Sequence, residues 1–301
     1  MHIHMWMAAE LGHCFSPAGV VVPCFFFFCS SVVCAWLLRR RSQKAAVEGS
    51  WKERTVITGE GVAVVSAVRS RRSIFPRDYF FKCSAESTDH REPAVEVKDS
   101  VVQSLIEAAF WAPFHGSVPP WRFVVLGRQA MVEMQRLTLD FYDEHWREVG
   151  WGSIISPVEG ESVGKHRKLE EADYQKWRAM TEGEIHGRWG PCSHMVAIGM
   201  RRQAGSRRLP EWEEAAATAC AVQNMWIQAS TAFPGLACYW SSWHEAFRDS
   251  PQMTEFLGMD WKAGDRCFGF FVIATVNPAK GPPKDNRTRK THDDGAVEWR
   301  Q

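Results

Sequence analysis

Ala112-Pro113-Phe114-His115-Gly116-Ser117-Val118-Pro119-Pro120-Trp121-Arg122-Phe123-Val124-Val125 is the stretch on which the fold turns. Just upstream, Val101, Val102, Leu105, Ala108, Ala109 and Ala112 make one apolar stripe, which predicts a helix over Lys98–Ala112. Pro113 stops that helix, Gly116 permits a tight backbone path, and Pro119-Pro120 stiffens the way into an extended segment. Trp121–Leu126 then reads as a buried strand. Such a turn can lay backbone N–H groups and His115 beside a flat ligand. It serves equally well as a plain helix-to-strand connection.

Working outward, Val62, Val65 and Val68 share one helix face that ends before Pro76. Residues 82–97 are polar, contain Pro93 and read as a loop. Gln129–Trp146 is an amphipathic helix, a further helix falls near Lys165–Met180, and Leu209–Phe233 is the longest. In the last, Pro210 suits the first turn, and Glu211, Glu213 and Glu214 oppose the positive end of the helix dipole. His194–Met200, Leu236–Trp240 and Cys267–Val276 are strands. The unbroken apolar run Phe268–Ile273 predicts a strand covered on both faces. Helices and strands mix without regular βαβ alternation, so the expected class is α+β, with helices packed round a central sheet that is mixed or antiparallel. No Gly-x-Gly-x-x-Gly and no Walker loop occurs.

Composition narrows the function. Lysine and arginine number 36 against 35 acidic residues, too even a balance for a nucleic-acid protein. The nine cysteines include no Cys-x-x-Cys pair and read as reduced, mostly buried thiols of an intracellular protein. The 15 tryptophans read mainly as core or groove lining. Gly19–Leu38 carries no charge and is followed at once by Arg39-Arg40-Arg41. That is long enough to span a bilayer, although Pro23, Ser30 and Ser31 interrupt it. Membrane anchor, organelle-targeting or cleaved leader, and unstructured extension are the three readings of this segment. The expected organisation is an N-terminal extension with a polar linker (1–58), one domain (59–280) and a basic tail (281–301).

Four groups of residues have the chemistry of a binding site. Arg71-Arg72-Ser73 offers paired guanidinium donors and a hydroxyl, a set suited to phosphate. His115 and Ser117 lie in the proline-bounded turn. Trp240-Ser241-Ser242 closes the strand after the long helix. Lys280, Lys284, Arg287, Arg289 and Lys290 follow the last strand and by themselves read as a solvated tail.

Taken in order, Val68–Ser73, Ala112–Val125, Trp212–Phe233, Gly235–Ser242 and Phe268–Pro278 resemble the nitroreductase family of flavoproteins across roughly residues 60–280. The match is closest to the small bacterial subfamily carrying Ala-Pro-x-His followed by Pro-Trp. The resemblance implies an α+β fold and a homodimer with FMN at its interface. It also implies reduction by NADH or NADPH, and transfer to a nitroaromatic, quinone or similar electron-poor small-molecule acceptor. No catalytic side chain is required, because the chemistry is on the flavin. Carried over, Arg71, Arg72 and Ser73 hold the FMN phosphate and ribityl chain. His115 and Ser117 approach the flavin across the dimer, Trp240, Ser241 and Ser242 line its ring, and Lys284 or Arg287 assists at the phosphate.

This chain departs from the pattern at several points. Phe75 stands where many relatives have a third basic residue, so that one phosphate contact is lost or comes from elsewhere, with Arg77 a candidate. Ser117 replaces an asparagine, Phe114 a smaller residue, and Ser241 an arginine. These departures leave open a second reading, a flavin-binding or flavin-handling protein of the same fold without turnover.

Overall fold

The structure, a computed structural model, describes residues 67–68, 71–85, 87–151, 170–205 and 208–280. In chain order the elements are β1 (Phe81–Cys83), β2 (Arg91–Pro93), α1 (Asp99–Ala109), β3 (Trp121–Leu126), α2 (Arg128–Val149), α3 (Glu171–Gly187) and β4 (His194–Met200). There follow α4 (Glu211–Ala232), β5 (Leu236–Ser241), α5 (Glu245–Arg248), α6 (Pro251–Phe256) and β6 (Arg266–Thr275). The main sheet has strand order β3-β4-β6-β5 and is antiparallel throughout. The fold is α+β, as expected.

Burial explains the strand sequences. The inner strands β4 and β6 are covered on both faces, so they read as continuous apolar runs rather than alternating ones. One face packs Met195, Ala197, Phe270 and Val272 against α2; the other packs Val196, Ile198, Phe271 and Ile273 against α1 and α4.

The alternation on β6 breaks once. Cys267 faces the first layer and Phe268 the second, yet Phe270 is back in the first and Phe271 in the second. The phase changes at Gly269, whose φ is +109°. The pairing skips here too, from Ala197↔Phe270 to Gly199↔Cys267, so two residues of β6 oppose one of β4. This is a β-bulge, and only glycine fits it. A Cβ at Gly269 would overlap the carbonyl oxygen of Ser241 on β5.

Several expectations need correction. The presumed loop 82–97 contains the β1–β2 hairpin, pairing Phe81↔Pro93 and Cys83↔Arg91. Its strands are too short and exposed to show alternation. They are held from outside, with Arg91 donating to the Gly187 carbonyl at 3.4 Å and stacking over Phe81 at 4.5 Å. Helix α3 runs further toward the C-terminus than Lys165–Met180, because Tyr174, Thr181 and Ile185 supply its buried side. The short helices α5 and α6 had no periodic signal. Helix α6 does carry a local one, the Ser250 hydroxyl accepting from the Met253 amide at 3.2 Å with Pro251 in the first turn. Cys192, Cys238 and Cys267 are buried, but Cys83 and Cys220 are exposed. The segment 19–38, Lys284 and Arg287 lie outside the described residues. Among the described residues no helix is long and apolar enough to cross a membrane.

Candidate functional site

The tandem arginines lie along the free edge of β5. The Ile74 amide donates to the Cys238 carbonyl at 3.0 Å, and the Phe80 amide to Thr275 at 2.8 Å, so residues 74–80 run beside the sheet. Trp226 of α4 fixes the start of this segment: its indole N–H donates to the Arg72 carbonyl at 3.1 Å. The same ring lies under the Arg71 guanidinium at 4.3 Å, a cation–π contact. Ser73 is exposed. Phe75 leans on Tyr239 with ring centres 5.0 Å apart.

Beyond Phe75, Arg77 enters a recess of about 370 Å³ that it shares with Arg91, Glu184 and Arg188. Of the three arginines, Arg188 pairs with Glu184 at 3.0 Å and Arg77 with Asp78 at 3.5 Å. Lys280, the first basic residue after β6, donates to the Arg77 carbonyl and brings the start of the tail to this end.

Glu184 and Arg188 also line a larger cavity of about 720 Å³ at the end of β5, together with Ser241 and Ser242. Its walls are aromatic: Tyr142 and Trp177 lie 4.9 Å apart, and Trp189 and Trp243 5.3 Å. Trp189 is buried, and its indole N–H has no partner among the described residues. An unmet buried donor in a cavity wall is what a ligand acceptor would satisfy.

The turn after β5 shapes this wall. Trp243 adopts φ +57°, a strained value for a bulky side chain. Its amide donates to the Ser241 hydroxyl at 3.3 Å, and its indole to Thr138 at 3.0 Å. The reversal presents His244 to the cavity. Burial, reinforced by Arg188, pushes the His244 pKa down to about 4.

That shift has a sign. The folded imidazole resists protonation that the unfolded chain accepts, so stability is lost as pH falls from about 6.5 toward 4. The expected loss is up to about 3 kcal/mol. His244→Phe should flatten this part of the pH–stability profile, measured by urea unfolding. An unchanged slope would place the titrating group elsewhere.

The His115 turn sits at the other end of α4. His115 Nδ1 lies 2.9 Å from the Glu213 carboxylate, and Gln203 donates to the Val118 carbonyl at 3.2 Å. Gly116, at φ +94°, packs against the Gln203 amide. Behind the turn, Glu214 is buried as the partner of Arg202 and accepts from the Gln203 amide at 3.2 Å. Two of the three acidic residues expected merely to face the helix dipole thus hold this turn in place.

Some predicted residues come together and others do not. Arg71, Arg72 and Ser73 lead into Ile74, which pairs with Cys238 on β5, the strand that ends at Ser241. Trp240 faces the opposite layer, its indole donating to the bulge carbonyl of Phe268 at 2.7 Å. His115 and Ser117 are remote: Glu213 and Trp226 are thirteen residues apart on α4, about 20 Å along its axis. Sequence reasoning missed Arg188, Trp177, Trp189, Trp243 and His244. A Trp-His pair directly after Ser241-Ser242 was the available signal. Arg188 had none, since only α3 packing brings it to β5. Among the described residues no group of three or more His, Cys, Asp or Glu is placed to hold a metal.

Comparison with known proteins agrees with this architecture. The FMN-dependent nitroreductase NfnB from Mycobacterium smegmatis, solved in complex with NADPH, superposes with a TM-score of 0.50 at 12% identity, covering 81% of this chain and all (100%) of that one. A nitroreductase-like family protein from Bacillus cereus gives 0.48 at 19% identity, with 78% and 95% covered. A nitroreductase with bound FMN from Bacteroides fragilis gives 0.47 at 16%, with 80% and 100% covered. At these identities the likeness concerns the fold. A search of curated proteins finds no match. The model of the nitroreductase family matches residues 92–274, from the hairpin to the end of β6 and over more than half of the chain, and the chain therefore belongs to the nitroreductase family.

Proposed function

We propose that this protein is an FMN-dependent oxidoreductase that takes hydride from NADH or NADPH and reduces nitroaromatics, quinones or similar electron-poor acceptors. One observation carries the reading. Ile74, next to the tandem arginines, pairs with Cys238, and Ser241 lines the aromatic cavity three residues further along the same strand. That is about 10 Å of strand, a separation suited to a ribityl chain between a phosphate and a planar ring.

The residues present fit such a cofactor. Arg77, Arg91 and Arg188 line one recess, Arg188 also lines the adjoining aromatic cavity, and the buried Trp189 indole donor has no partner among the described residues. Arg71, Arg72 and Ser73, with Arg77 in place of the residue lost at Phe75, would hold the phosphate by charge-assisted hydrogen bonds. Tyr142, Trp177, Trp189 and Trp243 would enclose the ring and exclude water. Arg188 would place positive charge beside it, which favours charge accumulating there on reduction. Bound in this way, FMN supplies the hydride-accepting centre.

A second copy of the chain completes the proposal. The His115 turn is surrounded by exposed apolar residues, Phe110, Trp111, Val118 and Trp212, the second of them 81% accessible. A patch of this kind marks an interface. Through it the turn would reach the neighbouring copy's cavity, because it is too far from its own.

The purified protein is expected to be yellow and to bleach with NADPH or NADH under anaerobic conditions. Arg71→Ala should weaken FMN binding by about 10- to 100-fold, the effect of one charge-assisted bond. A colourless protein that takes up no FMN would refute the assignment. A yellow protein that neither nicotinamide reduces would instead favour flavin binding without turnover.

A further inference from the structure

The cavity wall holds a polar group to which the flavin reading gives no role. His244 lines the cavity and is surrounded by rings: Trp243 at 5.3 Å, Trp177 at 5.6 Å and Tyr142 at 6.1 Å, all edge-on. Among the described residues neither of its ring nitrogens has a hydrogen-bond partner.

The charged groups of the wall are engaged. Arg188 pairs with Glu184 at 3.0 Å. Arg248 pairs with Asp249 at 2.7 Å and donates to the Ser242 carbonyl at 3.1 Å. The charges of the wall are thus paired within it, while a neutral imidazole offers one donor and one acceptor to whatever enters. A ligand atom entering the cavity can take the place of water at these two positions.

We propose that His244 is the specificity-determining residue of this cavity, hydrogen-bonding an oxygen carried by a planar, conjugated, uncharged ring. Burial and Arg188 keep the imidazole neutral at ordinary pH, so it recognises an oxygen by hydrogen bonding and adds no net charge. The inference rests on the flavin reading above. Two rings have the required chemistry: the carbonyl-bearing ring of the flavin and a nitro- or carbonyl-substituted acceptor.

The test uses the full chain with His244→Phe, which keeps an aromatic ring among Tyr142, Trp177 and Trp243, and His244→Asn, which keeps a hydrogen-bonding group. Nitrobenzene is titrated calorimetrically into each protein as purified. FMN affinity and the visible flavin spectrum are measured separately, with KM and kcat for nitrobenzene reduction. If the acceptor is the partner, His244→Phe weakens nitrobenzene binding about tenfold, the upper range for one neutral hydrogen bond. KM then rises more than kcat falls, and FMN affinity stays level. If the flavin is the partner, FMN affinity drops by a similar factor and the spectrum shifts. In both cases His244→Asn recovers most of the loss.

Affinities for both ligands within twofold of the parent overturn the proposal, as does an equal loss in the Asn and Phe variants, which would mean packing alone. A parent protein that takes up no FMN sinks the functional reading but leaves the nitrobenzene titration to decide His244. A parent that binds neither ligand overturns both.

Discussion

Gly269→Ala is expected to cost about 4 kcal/mol, combining a left-handed backbone that alanine resists with overpacking against a neighbouring strand. For a domain of this size the midpoint of thermal unfolding should fall by about 8–16 °C. Gly269 has φ +109°, and an added Cβ would run into the Ser241 carbonyl on β5. That carbonyl belongs to main chain hydrogen-bonded in the sheet, so neither partner can move without breaking the ladder. The bulge is also fastened locally, the Gly269 amide donating to the Cys267 sulfur at 3.4 Å. Gly235→Ala is the control. Among the described residues no atom lies within 4 Å of a Cβ added at Gly235, and the expected change is within about 1 kcal/mol. Circular dichroism melts of the two variants decide the matter. Equal shifts would mean that the bulge is not under the strain described. Because Ser241 borders the cavity, the Gly269 variant should also lose flavin binding at temperatures where it remains folded.

Glu214→Gln should be nearly as damaging, at about 3–5 kcal/mol, because it leaves the Arg202 guanidinium buried beside a neutral partner. The two side chains are only 7% and 0% accessible. Arg202 cannot turn to water, since its second nitrogen donates to the Leu209 carbonyl at 3.1 Å and its amide to Asp265 at 2.9 Å. Chemical denaturation measures the loss directly. The double variant Arg202→Met/Glu214→Met removes both charges and should recover more than half of it. If the double variant is worse than Glu214→Gln, the pair contributes more than mutual neutralisation. The same substitution loosens Gln203, whose amide donates to Glu214 and whose side chain holds the His115 turn. If that turn serves a neighbouring copy, dimer affinity falls with stability.

The fold was largely legible because its central strands carry an unmistakable pattern. Phe268–Ile273 could only be a strand buried on both sides, and on β4 Met195 and Ala197 enter one core while Val196 and Ile198 enter the other. The hairpin at 81–93 was not legible, since three of its six paired residues are charged and its hold comes from Arg91 reaching Gly187, far along the chain.

For the candidate site, local chemistry was enough to single out Arg71-Arg72-Ser73, the His115 turn and Ser241-Ser242, because each depends on residue types adjacent in sequence. Their mutual placement depended on packing that short-range pattern does not encode. Trp226 carries the arginines to one end of α4 while Glu213 keeps His115 at the other, and helix α3 delivers Arg188 to the end of β5. Which way Trp240 faces follows from strand parity once its pairing with Phe271 is fixed. By itself, then, the sequence determined the secondary elements, the class of fold and the chemically active clusters, because these follow from propensity, periodicity and local composition. Only the tertiary structure decided which clusters share a cavity, because a helix of fixed rise and a sheet of fixed register convert separations in sequence into distances that no local pattern contains.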